Sequence, residues 1–173
     1  MLPGDIRPCG AELYFLPVET RVPLKFGTET LTYVTCARVA VTVRGRNGKT
    51  AVGWGETPLS VQWAWPSDLS YDERHEAMKQ FCRILAEAWA EFGVWGHALE
   101  VGHQFITAQL PRLLALFNDE RPEESHMPWL AALICCSAFD IALHDAYGKV
   151  HGRPVYETYG KEFLSLDLSH YLE

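Results

Sequence analysis

The sequence contains no run of Lys or Arg, no internal repeat, no low-complexity stretch and no internal linker. Without a basic patch the chain lacks the electrostatic footprint of a nucleic-acid-binding protein, and its net charge of −7 points the same way. Its first ten residues, MLPGDIRPCG, carry no apolar core of a signal peptide. The longest apolar run, around Met127–Ala138, is too short to span a bilayer. Cysteine is sparse: Cys9, Cys36, Cys82, Cys135 and Cys136 make an odd count without a C-x-x-C pair. That pattern argues against a disulfide framework or a zinc ribbon, and for buried thiols in a reducing compartment. These absences set the first expectation: a cytoplasmic protein with no nucleic-acid partner and no membrane span.

What is present describes an ordinary globular chain. It has 173 residues, 48% of them hydrophobic and 21% charged, enough for one domain with a real core. The first sixty residues read as strands. Ala11–Thr20 is rich in aromatic and β-branched residues and is broken by Pro17, which suits an edge strand. Thr20–Thr30 carries Pro23 and Gly27 and reads as a loop. Val39, Val41 and Val43 then alternate with Ala40, Thr42 and Arg44, and the chain turns at Asn47-Gly48 into a return strand containing Val52 and Trp54. Thr57–Ser70 reads as a loop with two Pro and two Trp.

Helices follow. Ser70 and Glu73 form a capping box, and behind it Met78, Phe81, Cys82, Leu85, Trp89 and Phe92 fall at helical spacing until Gly93. A second helical region covers Ala98–Phe117, with a split expected near Pro111. A third runs from about Pro128 to Val150 and is apolar nearly all round in its first half, so it should be buried on several sides. The fold class is α+β: a three-stranded antiparallel meander sheet followed by a helical bundle.

One stretch invites a chemical reading. Asp140, His144, Asp145 and His151 sit at near-helical spacing before Gly152-Arg153-Pro154. Metal binding needs three or more ligands converging on one point, and a helix ending at Gly152 does not bring Asp140, His144 and His151 together. The structural alternative is favoured: acids as hydrogen-bonding posts, Lys149 and His151 in the last turn, Gly152 as the C-terminal cap, and Gly148 allowing close backbone approach. No Ser, Cys or His has a recognisable activating partner, so no catalytic and no metal residue is assigned. His75, His97, His103 and His126 are expected at the surface, and Glu56 in a structural hydrogen bond.

The same stretch carries a resemblance. Asp140-x-Ala142-Leu143-x-Asp145-x-x-Gly148-Lys149, then Gly152-x-Pro154-Val155-Tyr156 and Gly160, is similar to the end of the N-terminal capping domain of the enolase superfamily. Arg21-x-Pro23, Phe26-Gly27, the hairpin, and Gly53-x-Gly55-Glu56 agree in order and spacing, so the likeness runs from Glu12 to Gly160. The subgroup it resembles is that of mandelate racemase and the muconate lactonizing enzymes, with His144 and Glu157-Thr158-Tyr159-Gly160 as departures that suggest an outlying branch.

The resemblance implies that residues 1–160 are a capping domain and that residues 161–173 are a linker or the first strand of a (β/α) barrel. In such enzymes the barrel holds magnesium and the bases that abstract a proton α to a carboxylate, in racemisation, acid-sugar dehydration or cycloisomerisation. This chain would hold no cofactor itself and would be inactive alone. Its partners would be a small carboxylate substrate, its own barrel or other subunits, and further copies in a homo-oligomer. Substrate contacts would come from Val22, Leu24, Lys25 and Phe26 in Arg21–Thr28, and from Gln62, Trp63 and Trp65 in Thr57–Pro66. The chain alone would self-associate through the apolar helix Trp129–Phe139, and the alternative is a free-standing α+β module that binds a partner protein through that helix face.

Overall fold

The computed structural model describes residues 2–26 and 29–171, with the side chains of Phe26 and Glu29 left out. Strands β1 (Ile6–Phe26), β2 (Glu29–Gly45) and β3 (Thr50–Pro58) form an antiparallel sheet in the order β1-β2-β3. After it come α1 (Val61–Ala64), α2 (Tyr71–Glu91), α3 (Ala98–Gln104), α4 (Leu110–Asp119) and α5 (Trp129–His151). The meander sheet and helical bundle are as expected from the sequence.

The sheet follows its pleat. Val39 pairs with Leu13 and Gly55, and Val41 with Ala11 and Gly53, so these residues share one face. Val39, Val41 and Val43 are buried on that face beneath the helices. The hairpin turns at residues 46–49, where Gly48 takes a φ of 81° that a side chain would resist, and Asn47 Oδ1 accepts from the Lys49 N–H at 3.0 Å.

β1 is longer than its prolines suggest. Pro17 and Pro23 lie within it, and residues 21–26 are strand rather than loop. Between Glu19 and Leu24 the register shifts, with Thr20–Pro23 standing opposite Thr32 alone. Only an edge strand tolerates this, because a proline without an N–H need not break the single ladder it joins. Beyond the end of β3, β1 and β2 therefore continue as a two-stranded arm.

α2 starts as expected: Ser70 Oγ accepts from Glu73 N–H, and the Glu73 carboxylate accepts from Ser70 N–H at 3.0 Å. The second helical region is interrupted differently. Phe105–Gln109 is a π turn, and Pro111 stands in the first turn of α4. The wide turn absorbs the missing proline donor where a sharp break was expected.

α5 is the central element. Ala138, Ala142 and Ala146 repeat every four residues and lie against Gly53 and Gly55, where an added Cβ would stand 2.0 Å from the carbonyl oxygens of Ala142 and Ala138. The Gly-x-Gly of β3 is thus a packing groove for a helix with a ridge of small residues. Gly152, at φ 64°, caps the helix by donating to the carbonyls of Gly148 and Lys149. Gly148 lets the Arg153 carbonyl approach to 2.8 Å of its hypothetical Cβ.

By length and mean hydropathy α5 as a whole would pass for a membrane span, contrary to the shorter run read from sequence, but half of its most apolar window is buried within the domain. Cys135, Cys136 and Phe139 are buried in the common core. The helix face Trp129–Phe139, expected to be open to a partner or a second copy, is thus largely filled by this chain's own sheet and α2. Only Trp129 and Leu130 at its start are exposed. Residues 161–171 contain no strand: Phe163 and Leu164 fold back and are buried, and Leu168–Tyr171 is a 3-10 turn.

Candidate functional site

The two segments expected to touch substrate leave the same end of the sheet. Leu59 N–H donates to Thr35 O at 2.8 Å, so the 57–66 segment departs from β2 just where the β1–β2 arm begins. On the arm, Val22 is 63% and Leu24 44% exposed, Lys25 is exposed, and Val18 and Tyr33 are exposed beside them. The Phe26 side chain lies outside the described residues.

In the 57–66 segment a single helical turn, α1, divides the side chains. Val61 and Ala64 are buried, Gln62 is half-buried and Trp63 is 47% exposed. Trp65 is only 3% exposed, with its N–H on Val61 O at 3.0 Å. It is a core residue, and the reading of Trp65 as a substrate contact gives way to packing. Val22, Leu24 and Lys25 on the arm and Trp63 on α1 are exposed side chains at this end of the sheet, with Gln62 half-buried beside Trp63. Glu56, at the end of β3, pairs with Arg38 through Nε and Nη2 at 2.7 Å, an ion pair across the outer sheet face rather than a bond to backbone.

The carboxylates and imidazoles of α5 separate into different tasks. Asp145 Oδ2 accepts from Trp54 N–H at 2.8 Å and from Lys149 Nζ at 2.6 Å, while Lys149 Nζ also donates to Val52 O at 3.2 Å. Trp54 and Val52 present the outer N–H and C=O of edge strand β3, so this helical ion pair satisfies and blocks the edge. Asp140 and His144 approach to 4.0 Å, and His144 Nδ1 meets the Tyr159 hydroxyl at 2.9 Å. Burial raises the Asp140 pKa and lowers that of His144, each partly countered by the other's charge. His151 is engaged elsewhere, through Nε2 on the Gly4 carbonyl at 3.0 Å.

His97 corrects a further expectation. It is fully buried rather than superficial. Its Nδ1 accepts from Leu99 N–H at 3.0 Å, which fixes the proton on Nε2 for donation to Thr158 Oγ1 at 2.8 Å. Thr158 in turn donates to Val155 O, and Glu100 accepts from the His97 N–H at 3.0 Å. His97 is therefore the N-cap of α3 in a capping box with Glu100. Burial first, and His144 second, lower its pKa to about 4. The Tyr147 ring packs on it at 4.3 Å, and burial raises that hydroxyl's pKa. The signal missed in the sequence is His97-x-x-Glu100, which has capping-box spacing with imidazole in place of a hydroxyl. This cluster joins α3, α5 and the segment after Gly152, and no substrate reaches a fully buried ring.

No protein-family model and no curated protein matches the chain. Solved structures do. An enolase from Bradyrhizobium complexed with magnesium and mandelic acid matches with a TM-score of 0.52 at 16% identity, over 88% of this chain and 34% of that one. A dipeptide epimerase from Enterococcus faecalis complexed with magnesium and L-Leu-L-Tyr matches at 0.51 and 13%, over 90% and 35% respectively. A mandelate racemase/muconate lactonizing enzyme-like protein from Rubrobacter xylanophilus matches at 0.45 and 20%, over 87% and 33%. This chain shares its fold with the matched third of the Bradyrhizobium enolase and of the Enterococcus faecalis epimerase. It spans about a third of the length of the solved structures it matches.

Proposed function

We propose that this chain acts as the substrate-specificity cap of an enzyme of the mandelate racemase/muconate lactonizing type, one that abstracts a proton α to a carboxylate. The observation that carries the reading is that the arm with exposed Val22, Leu24 and Lys25 and the turn with exposed Trp63 leave the same end of the sheet, in a fold shared with part of the Bradyrhizobium enolase. In this role these side chains form a wall that shapes the apolar side of a small carboxylate substrate and excludes water from the reacting carbon, while Lys25 meets an anionic group. Phe26 belongs to the same arm by sequence. Racemisation, dehydration and cycloisomerisation share this requirement, and the wall's shape would select among substrates rather than perform the proton transfer.

The described residues do not fit a magnesium ion. Among the described residues no group of three His, Cys, Asp or Glu side chains is placed to hold a metal, and the α5 acids are engaged as described above. No step is therefore routed through a metal here. In this reading the magnesium and the bases belong to a barrel, the chain alone turns over no substrate, the assembly is homo-oligomeric, and the compartment is the cytoplasm.

The test is α-proton exchange. The native polypeptide carrying this domain is incubated in D2O with magnesium and a panel of small carboxylates, including dipeptides, acid sugars and aromatic hydroxy acids. Deuterium should enter the α-carbon of a subset, and Trp63→Ala should reorder that subset. Failure of every carboxylate to exchange, with folding intact, would contradict the proposal.

A further inference from the structure

We propose that Arg74 is the positioning residue for the side of the wall that Gln62 and Trp63 present, an inference that rests on the capping-domain reading above. The 59–70 segment has little structure of its own. α1 is one turn long, far below the length at which a helix holds itself in water. Its entry is fixed by Leu59 N–H on Thr35 O at 2.8 Å. Its exit is held by the capping box of Ser70 and Glu73 and by one long side chain that reaches back across the connection. Arg74, in the first turns of α2, donates from Nη1 to Trp65 O at 2.5 Å and from Nε to Ser70 O at 3.2 Å.

Those two carbonyls bracket the stretch 65–70 that joins α1 to α2. A guanidinium is a rigid planar fork, so bonding both carbonyls sets their separation as well as holding each one. The Trp65 ring beneath is buried, and its N–H closes α1 onto Val61. Ring, N–H and carbonyl of Trp65 are thus all fixed, and the turn carrying Gln62 and Trp63 has one orientation left. Ser70 cannot share this task through its side chain, because its hydroxyl serves the capping box with Glu73 at 2.6 Å. Arg74 acts through the Trp65 and Ser70 carbonyls; it bonds nothing on the exposed wall itself.

The experiment uses the chain labelled with 5-fluorotryptophan, the Trp63 resonance being identified by its loss in Trp63→Phe. Arg74→Met should raise amide exchange at residues 61–65 about tenfold or more and shift or broaden the Trp63 fluorine signal. Exchange at 39–43 and 51–55 should stay as in the parent chain. Arg74→Lys, which keeps the charge and reaches only one carbonyl, should fall between. Unchanged exchange at 61–65 in Arg74→Met would overturn the proposal, as would a rise spread evenly through the sheet, the mark of general destabilisation. Arg74→Lys indistinguishable from the parent would overturn the need for a two-carbonyl fork. In the native polypeptide, Arg74→Met should raise KM for its carboxylate with kcat little changed. A loosened 61–65 turn with KM unmoved would leave Arg74's positioning standing and count against the substrate wall instead.

Discussion

Replacing Gly55 with alanine inserts one methyl group where α5 rests on β3. An ideal Cβ there lies 2.0 Å from Ala138 O and 2.7 Å from Ala142 N, both backbone atoms of a helix that cannot turn aside as a side chain can. Ordinary carbon contacts are at about 3.5–4.0 Å, so sheet and helix must separate by more than an ångström along their closest line. Overpacking costs about 1–3 kcal/mol, and a contact this close to helix backbone belongs at the upper end, about 3 kcal/mol. The alanine also narrows the unfolded ensemble, which offsets about 0.4–1 kcal/mol. At least about 2 kcal/mol of destabilisation remains, or a fall in Tm of roughly 4–8 °C for a domain of this size. Gly160→Ala is the control, because its Cβ meets no atom within 4 Å. Urea unfolding followed by far-UV circular dichroism measures both, with an unchanged m-value showing that the surface exposed on unfolding has not altered. A Gly55→Ala chain within about 0.5 kcal/mol of the parent would refute the close approach of helix and sheet.

Asp145→Ala should strip the acceptor from Trp54 N–H and free Lys149 from its partner, costing about 1–2 kcal/mol, with the Trp54 amide exchanging far faster and the exposed β3 edge promoting association in sedimentation. His97 predicts acid sensitivity. Its folded pKa, about 4, lies below the ordinary histidine value, so the unfolded chain binds more protons between the two. Stability from His97 is complete above pH ~6.5 and is lost progressively as pH falls toward about 4. His97→Asn, which can still cap α3, should flatten that part of the ΔG-against-pH curve, and an unaltered slope would show that the imidazole titrates freely. The two tryptophans of the 57–66 segment should separate cleanly in unfolding experiments. Trp65→Ala should cost about 3–5 kcal/mol and Trp63→Ala under about 1 kcal/mol; equal losses would mean that both rings are core.

What could be read from the sequence was local. Val39, Val41 and Val43 with Asn47-Gly48 contain a whole hairpin within a few residues, and Ser70 with Glu73, or Gly152 after Lys149, mark helix ends by their own chemistry. The length of the arm is not legible because Pro23 and Gly27 together read as a loop, and only the pairing of Leu24 with Leu31 shows that the edge strand continues past Thr20. Asp145 could be seen as a helical acid, but its acceptor task depends on Trp54, which is remote in sequence. His97 was misread because an imidazole rarely caps a helix, and only Thr158 and Tyr147, brought in by later segments, make its burial tolerable. In the candidate site, Val22, Leu24 and Lys25 lie on strand β1 and Gln62 and Trp63 on α1, two segments that leave the same end of the sheet. Trp63 and Trp65 differ only in which side of a single helical turn they occupy, and composition does not record that.

The central claim is that the arm and the 61–65 turn form a wall against a small carboxylate. It is tested most directly by solving the native polypeptide that carries this domain with a bound carboxylate. The expected result is ligand carbon within about 4 Å of Leu24 or Trp63, with Lys25 Nζ within hydrogen-bond reach of an anionic oxygen or a water bound to it. A ligand held with Val22, Leu24, Lys25 and Trp63 all remote from it would contradict the account.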